Sequence, residues 1–96
     1  DVVVTNPVYI AIAIQYKPNK MLAPKVLAKG KRLVANDIRK IAEEHFIPIV
    51  ENPPLARNLY DSTEPGSDVP PMFYKAVAQI LAFVYKLKKK KENPIR

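Results

Sequence analysis

Residues 9–16 read Tyr-Ile-Ala-Ile-Ala-Ile-Gln-Tyr, a pattern that leaves the chain few choices. Side chains on an extended strand point alternately to opposite faces, so Ile10, Ile12 and Ile14 share one face and Ala11 and Ala13 the other. Both faces are apolar. A strand of this kind belongs in the middle of a sheet that is covered on both sides. Its alanine face leaves room for a helix to approach closely.

The neighbouring elements follow from the same reasoning. Residues 1–5, Asp-Val-Val-Val-Thr, form a β-branched run bounded by Asn6-Pro7 and predict a fully buried strand. Residues 17–24 hold Pro18, Asn19 and Pro24 and predict an exposed loop. A short third strand is expected at 25–29, closed by Gly30. Between 33 and 45, Val34, Ile38, Ile41 and Ala42 recur at helical spacing opposite Asp37, Arg39, Lys40, Glu43 and Glu44, which predicts an amphipathic helix of about three turns. Residues 46–50 complete a strand-helix-strand unit that should cross over right-handedly and pair in parallel. Pro53 and Pro54 suit a first helical turn, which needs no N–H partners, and Leu55, Ala56, Leu59 and Tyr60 form that helix's apolar face. After a proline-rich loop at 63–71, Ser67 or Asp68 is expected to cap a last helix with the stripe Phe73, Ala76, Val77, Ile80, Leu81, Val84 and Leu87. The expected fold class is α/β: a single domain with a small mixed four-stranded sheet flanked by helices.

Size and composition narrow the chemistry. The 96 residues accommodate one core. With no cysteine and a single histidine the chain offers neither a disulfide framework nor a thiolate nucleophile nor a zinc tetrad, so no metal site is expected. His45 ends the first predicted helix, facing the negative end of its dipole. Gly30 and Gly66 are isolated and make no phosphate cradle, and the carboxylates are scattered rather than paired for acid–base work. No cofactor and no multiple-turnover enzyme is expected. No apolar run approaches the roughly 20 residues of a membrane helix, and no secretory signal is evident. The chain opens at Asp1 without an initiator Met, as a fragment of a longer protein would, although a free-standing homologue stays open as well.

The net charge is +7, and residues 86–96 supply +5 of it through six basic side chains and Glu92. A nucleic-acid-binding module is the alternative reading that this charge raises. Such a footprint should cover a face of the fold and interleave aromatic readers, whereas this one is a terminal run with no aromatic beyond Tyr85. Lysines in the last turn of a helix also complement its dipole. Beyond Leu87 no apolar stripe anchors the run, so residues 88–96 are expected to form a dispensable, mobile basic tail.

One dipeptide has intrinsic reactivity. Ordinary asparagine deamidation uses the next residue's backbone N–H, which proline lacks. At Asn-Pro the remaining intramolecular route is attack by the asparagine amide nitrogen on its own backbone carbonyl, which forms a succinimide and severs the chain. Asn6-Pro7, Asn52-Pro53 and Asn93-Pro94 all carry this possibility. Asn6-Pro7 stands out because it interrupts two apolar strands, where a tight connection can hold a strained, attack-ready backbone.

These residues also resemble a known family. Val4-Thr5-Asn6-Pro7, the apolar strand ending in Tyr16, Ala23-Pro24-Lys25-Val26, Ala28-Lys29-Gly30, Pro53-Pro54-Leu55-Ala56-Arg57 and Ala76-Val77-Ala78 occur in this order along the chain. The series resembles the cytoplasmic domain of the FlhB/YscU family of type III secretion export-switch proteins, with the flagellar branch the closer match. The resemblance implies that residues 1–87 are an export-switch domain at the cytoplasmic face of the bacterial inner membrane, joined to membrane helices upstream of this chain. It implies export substrates of rod, hook or needle type, a hook- or needle-length regulator and other export-gate components as partners, no nucleic acid, and a part in switching substrate specificity.

The resemblance further implies self-cleavage between Asn6 and Pro7. Val8 and Tyr9 stand where the family's motif has Thr and His. A tyrosine, with an ordinary pKa of about 10 against about 6.5 for histidine, is no base near neutral pH, so cleavage is expected to be slow or absent. By the same resemblance a short hydrophobic signal of early substrates would dock at Ala23, Pro24, Ala78 and Leu81.

Overall fold

A computed structural model describes residues 1–92, with side chains through Lys89. Four strands, β1 (Val2–Asn6), β2 (Ile10–Gln15), β3 (Lys25–Lys31) and β4 (Ile49–Glu51), form one sheet in the order β3-β2-β1-β4. β2 is antiparallel to β1 and to β3, while β1 and β4 run parallel, so the sheet is mixed as expected. The helices are α1 (Leu33–Glu44), α2 (Pro53–Ser62) and α3 (Tyr74–Glu92), the last preceded by a 3-10 turn at Pro71–Phe73.

β2 is central, and its two faces build two cores. Ile10, Ile12 and Ile14, with Val2 and Val4 beside them on β1, pack against Leu55, Ala56 and Leu59 of α2 and Val77, Ile80 and Val84 of α3. Ala11 and Ala13, with Val3, meet Ala35, Ile38 and Ala42 of α1. Burial of each fully covered isoleucine, Ile12 and Ile14, contributes about 1.5–3 kcal/mol relative to exposure.

The alanine face decides how α1 sits. A Cβ built on Gly30, opposite Ala11 on β3, would lie 2.7 Å from Cβ of Val34 and closer still to its Cγ1. At this approach α1 turns Ala35, Ile38 and Ala42 to the sheet, while Val34 covers Gly30 and, like Ile41, remains about half exposed. This corrects the expected stripe, in which Val34 and Ile41 faced inward.

Several boundaries also differ from expectation. β3 runs through Gly30 to Lys31 instead of ending at Lys29. β4 begins at Ile49, not Phe46, because α1 ends in a six-residue C-terminal motif: Ile47 N–H donates to Ala42 O at 2.8 Å and Phe46 N–H to Glu43 O at 3.3 Å. His45 is the C-cap as expected, and Phe46 adopts φ +57 with its ring in solvent. β4 then pairs with β1 rather than with β3, the strand that precedes α1.

α2 starts as expected, with Asn52 Oδ1 accepting from Leu55 N–H at 3.3 Å and prolines in the first turn. Ser67 and Asp68 do not cap α3. Ser67 Oγ donates to Glu64 O at 2.7 Å, and Asp68 bridges to Lys25 on β3. The loop lies along the first half of edge strand β3, with Val26 N–H bonded to Ser67 O, Gly66 N–H to Val26 O and Val69 N–H to Pro24 O. Those backbone groups are consumed there, and the 3-10 turn opens at Pro70 with no side-chain cap. α3 continues past Leu87 to Glu92, so the proposed tail begins inside a helix; residues 93–96, including Asn93-Pro94, lie outside the described residues.

Candidate functional site

Two places gather the residues singled out in the sequence. The first is the turn between β1 and β2. Asn6 pairs with Ile10 across the ladder, and Tyr9 N–H donates to Asn6 O at 2.9 Å, closing a four-residue turn with Pro7 second and Val8 third. Val8 has φ +63. Proline second with positive φ third is the type II pattern, whose third position ordinarily requires glycine or asparagine. A β-branched residue there stores strain on the order of 1–3 kcal/mol immediately beside the Asn6-Pro7 bond.

Asn6 is half-buried, and its side-chain amide makes no hydrogen bond among the described residues. Asn52, in the second Asn-Pro dipeptide, is committed through Oδ1 to capping α2. The amide nitrogen needed for attack on the backbone carbonyl is therefore unencumbered at Asn6. Tyr9 faces away toward the start of α1: its phenol oxygen accepts from Nη2 of Arg32 at 3.0 Å, and the guanidinium lies 5.4 Å from the ring centroid. Arg32 N–H also donates to Tyr9 O at 2.9 Å, which ties the two turns together. Nothing in this arrangement supplies a base.

The second place is an apolar pocket of about 140 Å³ between α3 and the end of β2. Tyr74, Ala78 and Leu81 line it from one face of α3, at spacings of four and seven, and Tyr16, Leu22 and Pro24 close it from the sheet side. A cavity of about 150 Å³ is known to accept benzene, so this space suits one aliphatic or aromatic side chain. Leu22 projects wholly into solvent at the rim. The structure brings Pro24, Ala78 and Leu81 together here, but Ala23 is buried and does not line the pocket. Ala23 and Pro24 are both buried rather than part of an exposed loop, because Pro24 O is fixed by Val69 N–H.

Tyr16, Leu22 and Tyr74 escaped the sequence reading. Tyr74 was accessible to it, since it precedes Ala78 by one helical turn; the other two depend on how the 17–24 segment folds back. Beside the pocket, Lys17 Nζ meets Asp1 Oδ1 at 3.0 Å and Asp1 Oδ2 accepts from Tyr16 N–H at 2.8 Å.

No described helix is long and apolar enough to cross a membrane. No group of His, Cys, Asp or Glu among the described residues could hold a metal ion.

Comparison with known proteins agrees with the geometry. The chain is 54% identical to the flagellar biosynthetic protein FlhB of Yersinia enterocolitica over 97% of its length, and 53% identical to that of Salmonella typhimurium over 93%. It spans 24% and 23% of those two relatives. The crystal structure of the cytoplasmic domain of FlhB from Shewanella putrefaciens superposes with a TM-score of 0.92 at 41% identity, covering 97% of this chain and 71% of that one. A mutated EscU C-terminal domain gives a TM-score of 0.83 at 38% identity, covering 85% of this chain and 82% of that one. The family described as FlhB HrpN YscU SpaS matches residues 1–84, and the chain belongs to it.

Proposed function

We propose that this chain is the cytoplasmic, substrate-docking domain of a flagellar or type III protein export component, held at the inner membrane by helices upstream of Asp1. It receives a hydrophobic signal of early, rod- or hook-type substrates and takes part in switching specificity with a length regulator and other export-gate components. The observation that carries this reading is the pocket: a space the size of one side chain, lined by Pro24, Ala78 and Leu81 on the family fold. Leu22 and Tyr74 add an apolar rim that an incoming segment would cover. The nucleic-acid alternative gains nothing from the fold, since Lys86, Lys88 and Lys89 continue one helix rather than spread over a face of the sheet.

In this reading the domain is not an enzyme. At most it cuts itself once at Asn6-Pro7, slowly or not at all, and the fold does not depend on the cut because the turn is local to one end of the β1–β2 ladder. The core and the pocket lie within residues 1–87, and residues 88–96 are a basic tail that the core does not need. Secretion in cells tests the docking role. Ala78→Asp, at an exposed helical position, should keep the fold and stop early-substrate export. Normal export by a folded Ala78→Asp variant would sink the assignment.

A further inference from the structure

The pocket-lining face of α3 does not end at the pocket. Tyr74, Ala78 and Leu81 are followed on the same face by Tyr85 and Lys88, at i+11 and i+14 from Tyr74. Tyr85 is exposed, and Lys89 Nζ lies 5.7 Å from its ring centroid. On the opposite wall Tyr16, just after β2, leads into Lys17, and exposed Lys20 lies in the same loop. Asp1 pairs with Lys17 at 3.0 Å and Asp68 with Lys25 at 3.4 Å, so these pairs offset one another and the positive charge at this end rests on Lys20 and Lys88. The apolar pocket therefore opens at one end onto an aromatic shelf and then onto positive charge.

Resting on the docking reading above, we propose that the occupant is a peptide segment that places one apolar anchor in the pocket and acidic side chains beside Lys88. Its spacing follows from helix geometry. Ala78 and Lys88 are ten residues apart, about 15 Å along the helix at 1.5 Å per residue. An extended peptide covers that distance in about four to five residues at 3.3 Å each. The acids thus stand four to five positions from the anchor, with the intervening backbone lying over Tyr85. The apolar anchor supplies most of the affinity, and the charges supply register and selection against basic segments, because a like charge beside Lys88 is repelled.

Amide NMR titration of the 96-residue chain with three synthetic peptides tests this. Each carries one Phe anchor in a Ser/Gly background, with Asp, Ser or Lys at the fourth and fifth positions on both sides. The acidic peptide should shift Leu22, Ala78, Leu81 and Lys88 and bind about 1.4- to fivefold tighter per ion pair than the serine peptide, the range for exposed pairs. Raised salt should remove that gain. Lys88→Glu, at an exposed helical position, should remove it too and transfer the preference to the lysine peptide. Equal binding of all three peptides, lost on Ala78→Asp, overturns this inference and leaves the docking reading intact. A preference for acid that survives Ala78→Asp also overturns it, because the lysines then act without the pocket. If no peptide perturbs the pocket residues of the wild-type chain, both readings fall together.

Discussion

The phenol of Tyr9 accepts a hydrogen bond from Nη2 of Arg32 at 3.0 Å, and the same arginine's N–H donates to the Tyr9 carbonyl at 2.9 Å. The side chain immediately after the strained Val8 is thus turned toward the β3–α1 junction and anchors the turn instead of serving its chemistry. The strain at Val8 and the unencumbered amide of Asn6 favour cleavage, while the absence of a base opposes it.

A general base or acid is worth about 10²- to 10⁴-fold in rate, against roughly 5- to 160-fold for about 1–3 kcal/mol of strain. Cleavage in the wild-type chain, extended by its native upstream residues, should therefore be slow or undetectable by intact-mass spectrometry. Val8→Thr with Tyr9→His should accelerate it within that range, and Asn6→Ala should abolish it. Rapid, complete conversion of the wild type to a fragment beginning at Pro7 would show that strain suffices.

Lys29 makes the most committed polar contact of the fold. Its Nζ donates to Tyr60 O at 2.8 Å and Thr63 O at 2.7 Å, closing the carbonyl end of α2 from β3. Lys29→Met should cost about 2 kcal/mol in urea unfolding, since hydrogen bonds from a charged donor are worth about 1.5–3 kcal/mol and the helix end loses its cation. Lys31→Met, which removes only a cation 4.5 Å from the Tyr60 ring centroid, should cost under about 1 kcal/mol. Lys29 Nζ also lies 4.5 Å from that centroid, so equal losses would mean that the ring, not the carbonyls, holds Lys29.

Gly30→Ala should destabilise by about 1–3 kcal/mol, as overpacking does, because the new methyl meets Val34. Val34 is half exposed and can be trimmed, so Gly30→Ala with Val34→Ala should recover part of the loss. Absence of recovery in thermal melts would place the conflict in the α1 backbone.

Phe46 occupies the left-handed position after α1 while contributing almost no burial. Left-handed backbone costs an L-residue about 1–2 kcal/mol, so Phe46→Gly should raise stability by about 1 kcal/mol. A lower midpoint in urea would show that the Phe46 ring makes a contact worth more than that strain.

The legible parts of the fold are those in which one local pattern has one solution. Isoleucine–alanine alternation in β2 has no place except the centre of the sheet, and Pro53-Pro54 before an apolar stripe suits the first turn of a helix. The illegible parts depend on geometry between elements. Periodicity gave α1 its apolar side but not the rotation that replaces Val34 with Ala35, which follows from the depth of the groove at Ala11 and Gly30. Phe46 at positive φ leaves no compositional trace, so the sequence pattern starts β4 three residues early. Ser67 and Asp68 have the chemistry of caps, but the open edge of β3 takes up their loop. At the pocket, the resemblance supplied Pro24, Ala78 and Leu81; Leu22 and Tyr16 join them through the fold of the 17–24 segment, which no local pattern specifies.

Docking at the pocket is most directly tested by photocrosslinking in cells, with a benzophenone side chain placed at Leu22 on the rim and, as control, at Met72, which is exposed but does not line the pocket. Early substrates should crosslink at Leu22 and not at Met72, and Ala78→Asp should erase the Leu22 product. Equal crosslinking at both positions, or a Leu22 product that persists with Ala78→Asp, would contradict the account.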